Sequence, residues 1–369
     1  MKQMKKNLLS AILLSATVLI GLSSCSKDDN NNNNTSNNIE QTTDAALSDF
    51  VNVLGEPLYA DFVTKATTLN TAVQTLKANP TAANQTAAQN AWRDVRVTWE
   101  QSEGFLIGPV EDDNYDPYMD TWPTDKNQMN QLLAGTQTLN VEYLESETSD
   151  AELTLRGFHP LEYLLWGEFD PADYTSRQKD YMAALAQDIL NNTKALQSSW
   201  TTGGFANEIT GAGQTGSRYT SKEDALEAIA NALIDICNEV GETKMPTPFG
   251  NTQADADSTQ AESPYSHNSI IDFKNNIQGA YNTYICSYGG KTGTSLSSLV
   301  QINNKNLDNQ LKNAFTNAIA AFDGFGNYTF EQAIYTQRPI VQNVIDQITA
   351  LKTTVEDGLI PYIQQYIKN

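Results

Sequence analysis

Hydrophobic residues recur along most of the chain at intervals of three, four and seven positions, which is the period of an amphipathic α-helix. The clearest stripe runs from Phe50 to Leu76, with polar residues between its members. Alternating β-branched runs, which are typical of strands, are nearly absent. The pattern therefore predicts an all-α fold. Further helices are expected over residues 81–107, 124–145, 160–167, 176–200, 219–241, 266–288, 296–322 and 329–357.

A glycine-rich break separates two groups of predicted helices. It contains five glycines between Gly203 and Gly216. Long helices bury their apolar stripes against antiparallel neighbours, and a break of this kind is typical of a boundary between two such groups. We therefore expect two helical-bundle domains, at residues 43–202 and 219–369, joined by a linker at residues 203–218.

The first residues resemble an export signal. Lysines precede an apolar run from Leu8 to Leu22, which is shorter than the roughly 20 residues that cross a bilayer as a helix. The run ends in Leu-Ser-Ser-Cys, which resembles the cleavage box of a bacterial lipoprotein. Residues 1–24 are thus predicted to be a lipoprotein signal peptide, with lipid attached to Cys25. An incidental cysteine after an ordinary secretory signal is the alternative.

The segment at residues 25–42 is rich in asparagine and has no apolar residue before Ile39, so it is predicted to be a flexible tether. Within it, Lys27-Asp28-Asp29 resembles the export signal of surface lipoproteins in the Bacteroidetes group. We expect an envelope protein, an outer-membrane lipoprotein that either faces the periplasm or is exposed on the cell surface. Cys237 and Cys286 would be a disulfide or two buried thiols.

The net charge of the chain bears on two classes of partner, nucleic acid and membranes. With 44 acidic and 23 basic residues, the formal net charge is −21. Nucleic acid is not an expected partner, because phosphate binding needs a basic face. An acidic body also repels anionic headgroups, so the lipid on Cys25 would have to supply the membrane attachment.

The chain has only two histidines, His159 and His267. A zinc site with three histidines and the two-histidine HExxH motif are therefore excluded. His159 and Glu162 are three residues apart, so on a helix they share one face and could hold one cation. Alternatively, Pro160 at the first helical position would place His159 at the N-cap and Glu162 at the third position of a capping box. Both interpretations fit the residues.

The segment Gly157-x-His159-x-x-Glu162, with the following Tyr-Leu-Leu-Trp-Gly, resembles the Gly-x-His-x-x-Glu signature of the imelysin family. Segments at residues 92–123 and 263–284 are also similar to regions of that family. The likeness spans roughly residues 43–369, which is nearly all of the chain after the tether.

This resemblance implies an all-helical protein of two bundles with a site at their interface, in iron-regulated proteins of the envelope. It also implies a metal ion, iron or zinc, held by the His-x-x-Glu pair. In some relatives the implied role is iron uptake together with membrane proteins, and in others it is a metallopeptidase. Two departures from the family pattern are Pro160 directly after the histidine and His267 at a position where a carboxylate is expected.

The candidate metal ligands are His159, Glu162 and His267, with Glu103 and Asp116 as further ligands or as the general base of a hydrolase. The alternative for Glu103 is a solvated helix position. Three other acidic residues of the loop at residues 108–123 are expected on its surface, and three tryptophans are expected in packing. These residues are Asp112, Asp113 and Asp120, and Trp99, Trp122 and Trp166.

The function predicted from these observations is that of an envelope lipoprotein that binds a metal ion, with iron expected, and takes part in metal acquisition. A metallopeptidase that uses the same residues is the first alternative. The second is a non-catalytic, lipid-tethered interaction protein in which His159 and Glu162 only cap a helix.

Overall fold

In the computed structural model the described residues are 29–146, 153–167 and 169–367. Most of them are helical, and their strands are a short antiparallel hairpin of β1, Ser287–Tyr288, and β2, Lys291–Thr292. The prediction of an all-α fold is confirmed. The predicted signal peptide and Cys25 lie outside the described residues. Among the described helices, none has the length and apolar character needed to cross a membrane.

The first group of helices lies before the glycine-rich segment, except α10, which lies within it. They are α1 Asp29–Asp49, α2 Glu56–Ala78, α3 Ala82–Ser102, α4 Pro109–Asp112, α5 Tyr115–Asp120, α6 Lys126–Ala134, α7 Val141–Ser146, α8 Phe158–Trp166, α9 Ser176–Trp200 and α10 Phe205–Thr210. The long helix α2 packs against both α3 and α9. The predicted and observed bounds of α9 are the same, and a capping box at Thr175 begins this helix.

The second half contains another group of helices, and two π-helical turns continue helices of this group. The helices are α11 Lys222–Asn238, α12 Pro246–Phe249, α13 Ser269–Ile285, α14 Leu296–Asn303, α15 Lys305–Ala321, α16 Phe330–Thr336, α17 Arg338–Thr354 and α18 Ile360–Tyr366. A π-helical turn, Glu239–Lys244, continues α11. Others follow α1 and α17, at Phe50–Gly55 and Val355–Leu359.

Three predicted helices are each divided in two in the structure. The helix expected over residues 296–322 is interrupted at Asn304, whose side chain accepts a hydrogen bond from the Leu307 N–H and begins α15. The helix expected over residues 329–357 is interrupted at Gln337, two residues before Pro339, whose nitrogen carries no hydrogen and cannot donate the helical hydrogen bond to the Tyr335 carbonyl. Between α6 and α7 the chain leaves the helical conformation at Gly135. Local caps and breakers therefore override the longer apolar period.

Helix α1 extends into the range that was predicted to be a tether. It begins at Asp29, and Ile39 within it is buried in the core together with Ala46 and Leu47. These three residues continue an apolar stripe on the side of α1 that packs against α14. Tertiary packing thus explains the helical conformation from Ile39 onward, which the asparagine-rich composition before it did not indicate.

The buried apolar residues form one continuous cluster that includes helices from both sides of the glycine-rich segment. The closest approach joins the end of α3 to α13. A Cβ atom at Gly104 would lie 2.3 Å from the backbone of Gly279, and one at Gly279 would lie 2.2 Å from the backbone of Gln101. Only glycines permit this contact. The domain boundaries at residues 203–218 stay a prediction.

The two described cysteines, Cys237 and Cys286, are free thiols and both are buried. The alternative of two buried thiols is therefore confirmed over the disulfide. Burial raises the pKa of each thiol to about 12, so both stay protonated at neutral pH.

Candidate metal centre

The close approach of α8 to the end of α5 places the histidine of the motif. Gly157 precedes α8 with φ of 85°, a conformation that residues with a side chain rarely adopt. A Cβ atom there would lie 2.0 Å from the carbonyl oxygen of Met119. Glycine at residue 157 therefore allows His159 to reach the residue that follows Met119, which is Asp120.

His159, Asp120 and Glu262 form the group that could hold a metal ion. The His159 Nε2 atom lies 3.0 Å from Asp120 Oδ1 and 3.6 Å from Glu262 Oε1. One ligand atom from each residue lies within 4.8 Å of the other two, and the described residues contain no second group of this kind. The exposed fractions are 7% for Asp120, 2% for His159 and 0% for Glu262, so the group lies inside the protein.

The prediction that Asp120 lies on a loop surface is wrong. Its Oδ2 atom accepts a hydrogen bond of 2.7 Å from the indole N–H of Trp99, and its Oδ1 atom pairs with Arg96. Burial opposes ionisation of Asp120, but the charges of Arg96 and His159 prevail and hold the pKa well below its usual range. Asp120 is therefore an ionised carboxylate. Asp112 and Asp113 are exposed, as expected.

Arg96 is the cation around which the acidic residues assemble. It is fully buried on α3 and pairs with Glu100 and Asp120, with Glu262 at 2.9 Å, and with Asp272 at 3.6 Å. Burial opposes the charge on Arg96, but the four carboxylates raise its pKa further. A guanidinium suits this role because its planar fork of donors reaches several carboxylates at once.

Glu262 enters the group from the segment between α12 and α13. Most of this segment consists of turns and bends. The Glu262 Oε1 atom contacts Arg96 at 2.9 Å, Lys244 at 3.5 Å and His159 at 3.6 Å. No sequence pattern distinguishes Glu262 from other acidic residues. The one signal present was its position immediately before the segment at residues 263–284, which carries part of the family resemblance.

Glu162 does not cap its own helix, so the capping-box interpretation is wrong. The N-cap of α8 is Gly157, which forms no side-chain cap. Glu162 Oε1 instead accepts hydrogen bonds from the Tyr265 N–H at 3.1 Å and from the N–H and hydroxyl of Ser266 at 2.7 Å each. Burial raises the pKa of Glu162 to about 7, although His159 and Ser266 oppose the shift.

The other three predicted site residues lie outside the three-residue group. Glu103 is buried, accepts a hydrogen bond of 2.6 Å from Asn276, and lies 3.8 Å from Lys244, so it is not a solvated helix position. Asp116 is partly exposed and lines a cavity next to Glu103. Burial raises its pKa to about 7, with a contribution from the negative charge of Glu239.

His267 is the predicted ligand whose placement differs most from the expectation. Its side chain is exposed, and its Nδ1 atom lies 2.9 Å from Glu331 of α16. The backbone at His267 is left-handed, with φ of 57°, at the end of the turn that joins residues 263–266 to α13. The residue of this turn that faces the motif is Ser266 rather than His267. The structure therefore does not bring the two histidines together.

The interior around the three-residue group contains more buried carboxylates than buried cations. The carboxylates are those of Glu100, Glu103, Asp120, Glu162, Glu262 and Asp272, and the cations are Arg96 and Lys244. Burial raises the pKa of Glu100 and Glu103 well above the usual range, despite the opposing charges of Arg96 and Lys244. Burying carboxylates without compensation is costly, so the excess is relieved by protons or by a cation.

The donor atoms of the centre fit a metal ion. An imidazole nitrogen with two carboxylate oxygens is a donor set that suits iron and zinc. Both ring nitrogens of His159, as well as Glu262 Oε2 and Glu162 Oε2, are buried and have no hydrogen-bond partner of acceptable geometry. Buried polar atoms are usually partnered, and these are the atoms that a cation would engage.

Comparison with known proteins identifies the family. The family model for imelysin, which is grouped as peptidase M75, matches residues 55–355. The chain belongs to the imelysin family. The resemblance that the motif at residues 157–162 indicated is confirmed.

Two imelysin relatives carry a name that refers to iron. Iron-regulated protein A of Synechococcus elongatus is 30% identical over 329 residues, which are 87% of this chain and 87% of the relative. A crystal structure from Parabacteroides distasonis, described as an iron-regulated protein A precursor, has a TM-score of 0.78 and 26% identity, and the match covers 89% of this chain and 96% of that one. An imelysin-like protein from Psychrobacter arcticum has a TM-score of 0.71, 15% identity and coverage of 88% and 96%, so it shares the fold.

Proposed function

We propose that this imelysin-family protein binds a metal ion, with iron expected, through Asp120, His159 and Glu262, and that it takes part in metal acquisition at the cell envelope. The observation that carries the proposal is the convergence of three ligand atoms within 4.8 Å in an interior with excess negative charge. Asp120 and His159 precede the glycine-rich segment and Glu262 follows it, so the site would lie between the two predicted bundles.

Iron is supported by the donor atoms and by the relatives. Imidazole and carboxylate ligands suit Fe(II) as well as zinc, and carboxylates favour the harder ion. Both iron-named relatives cover most of this chain, and their names point to regulation by iron. In this proposal the metal is cargo, so the partners would be iron-uptake proteins of the membrane. The lipid on Cys25 would keep the protein near them.

Burial of the site argues against peptide hydrolysis as its function. A hydrolytic metal site needs an open coordination position for water, a general base and access for the substrate. All three proposed ligands are buried, and Asp120 and Glu262 are already paired with Arg96. A small cation can enter such a site much more readily than a polypeptide can. The metallopeptidase alternative is therefore not proposed here, and the experiment below tests it directly.

The test measures metal content and affinity, and the two histidines provide a matched pair of variants. Protein purified without chelators is analysed for bound metal, and Fe²⁺ affinity is measured by anaerobic calorimetry for wild type, His159→Ala and His267→Ala. Loss of a ligand should weaken binding by at least about 100-fold, since loss of an outer-shell partner alone costs 10- to 100-fold. His267→Ala should bind as wild type does.

Equal metal content in wild type and His159→Ala, in folded protein, would reject the site. The same preparations are assayed for cleavage of unstructured peptides with and without EDTA. We expect no chelator-sensitive turnover. Robust turnover that disappears in both His159→Ala and Glu162→Gln would establish the metallopeptidase alternative instead.

A further inference from the structure

An acidic cavity lies beside the candidate metal centre. It has a volume of about 360 Å³ and is lined by five carboxylate residues. These are Glu103, Glu111, Asp116, Asp235 and Glu239. Carboxylates that line a concave, low-dielectric surface raise the local concentration of cations. Asp235 and Glu239 belong to α11 and to the π-helical turn that follows it, so one wall of the cavity is formed by that segment.

Lys244 lies between this cavity and the centre. Its Nζ atom is 2.9 Å from Glu239 and 3.8 Å from Glu103, which both line the cavity, and 3.5 Å from Glu262, which belongs to the centre. The side chain is only 7% exposed. Its ammonium group therefore contacts carboxylates of the cavity and of the centre at the same time.

Resting on the function proposed above, we propose that Lys244 is a displaceable counter-ion that separates the acidic cavity from the Asp120, His159 and Glu262 group. A divalent cation that enters through the cavity takes the place of the Lys244 ammonium beside Glu262. Lys244 then swings toward the cavity. The protein would thus exchange one internal positive charge for the charge of its cargo.

The contacts of the two buried cations explain why Lys244 moves and Arg96 stays. Arg96 pairs with four carboxylates and also stacks near the rings of Trp92 and Phe158, at 5.6 and 5.2 Å. The single close partner of Lys244 is Glu239, whose side chain is 37% exposed. Moving outward would therefore keep the shortest contact of Lys244, with Glu239, while releasing its longer contact with Glu262.

The location of Lys244 on the backbone also suits a movable group. It ends the π-helical turn Glu239–Lys244, and such turns occur often at functional sites. A lysine side chain carries a compact ammonium charge on a flexible four-carbon stem, whereas the arginine guanidinium is a rigid, planar fork of donors. Glu239, at the other end of the same turn, lines the cavity.

The experiment measures Co²⁺ binding by stopped-flow tryptophan fluorescence, because the Trp99 indole donates a hydrogen bond to the proposed ligand Asp120 and should be quenched by the bound ion. Wild type is compared with Lys244→Met and with the control Lys352→Met. Lys352 pairs with Glu242 of the same π-helical turn at 2.7 Å and with Glu356 at 3.8 Å, and neither carboxylate is a proposed ligand. Lys244→Met should bind Co²⁺ faster and at least about tenfold more tightly, since a repelling charge is removed.

A second pair of variants keeps the proposal testable if Lys244→Met folds poorly. Glu239→Gln removes the outward partner of Lys244, whereas Asp235→Asn removes a cavity carboxylate that is not among the ion-pair partners of Lys244. Glu239→Gln should slow Co²⁺ association more than Asp235→Asn does. Equal effects of these two variants would contradict displacement of Lys244.

The remaining outcomes separate this inference from the proposed function. Wild type that binds Co²⁺, with Lys244→Met binding equally or less tightly, would overturn the role of Lys244 and leave the metal site intact. Co²⁺ binding by Lys244→Met but not by wild type would also support the proposal, because the ion would then bind only when the Lys244 charge is absent. No binding by either protein, both folded by thermal melting, would reject the metal site and this inference together.

Discussion

Glu162 of α8 accepts two hydrogen bonds from Ser266, one from its N–H and one from its hydroxyl, each 2.7 Å long. The two residues are 104 positions apart and lie on opposite sides of the glycine-rich segment. This contact fixes the motif helix to the turn that begins α13, and Glu262 stands at the other end of the same turn segment. The acidic residue of the motif therefore holds together the two parts of the chain that form the centre.

Removing the Ser266 hydroxyl should destabilise the protein moderately. Ser266→Ala deletes one of three donors to Glu162 and leaves the two N–H donors, so we expect a loss of about 1–2 kcal/mol in the free energy of unfolding, measured with urea. Ser146→Ala is the control, because that exposed hydroxyl bonds only within its own helix. A loss for Ser266→Ala no larger than that of the control would contradict the role given to this contact.

The glycine of the motif should be far less tolerant of substitution than a glycine of similar φ in open space. Gly157→Ala places a Cβ atom against Met119, and we expect it to cost at least about 3 kcal/mol and to weaken Fe²⁺ binding through displaced Asp120. Gly204 has φ of 93° and no atom within 4 Å of its added Cβ. Gly204→Ala should cost about 1 kcal/mol. Thermal and urea unfolding of both variants make the comparison.

Arg96 should be among the most sensitive positions for stability. Arg96→Met leaves four buried carboxylates without their shared cation, so the expected loss is about 3–5 kcal/mol. Arg218→Met is the matched control, since Arg218 pairs with Asp112 and Glu208 at the surface. Exposed pairs contribute about 0–1 kcal/mol. Similar losses for the two arginines in urea unfolding would show that the buried cluster is not organised by Arg96.

Asp116 should make the metal-free protein less stable as the pH rises. Burial raises its pKa from 3.8 to about 7, so the folded protein keeps a proton that the unfolded chain loses. The folded state then binds more protons between about pH 4 and pH 7, and the free energy of unfolding must fall with rising pH across that window. Asp116→Asn removes this dependence.

The measurement for Asp116 is urea unfolding in EDTA across this pH window, for wild type, Asp116→Asn and the exposed control Asp94→Asn. Wild type should lose stability relative to Asp116→Asn as the pH rises. Its free energy of unfolding should change with pH as that of Asp94→Asn does. A difference between wild type and Asp116→Asn that stays constant with pH would contradict the raised pKa.

The lipid attachment stays a prediction from the sequence, and it has a direct test. Cys25→Ser removes the sulfur that would carry the lipid, so the variant should leave the membrane fraction. Wild-type partitioning of this variant would reject the anchor. Replacing Lys27, Asp28 and Asp29 with alanine should, if they direct surface export, protect the protein from protease added to intact cells.

The sequence by itself determined the helical fold and the first residues of the centre. Apolar periodicity was sufficient for α9 and for most of α2, because long helices carry their burial pattern in their own spacing. The scarcity of histidine and the Gly-x-His-x-x-Glu segment together selected His159 and Glu162. Both are buried at the centre in the structure.

Only the tertiary structure decided which residues surround His159. Asp120 ends a helix of six residues and Glu262 lies among turns, and segments this short have no periodicity that separates a buried carboxylate from an exposed one. His267, which the sequence favoured for its residue type, lies instead at an exposed left-handed turn beside Glu331. Asp120 becomes buried because α8 packs against the end of α5 at Gly157, and Glu262 because Arg96 of α3 reaches across to it. Such burial depends on what packs against a residue, and no local spacing records that.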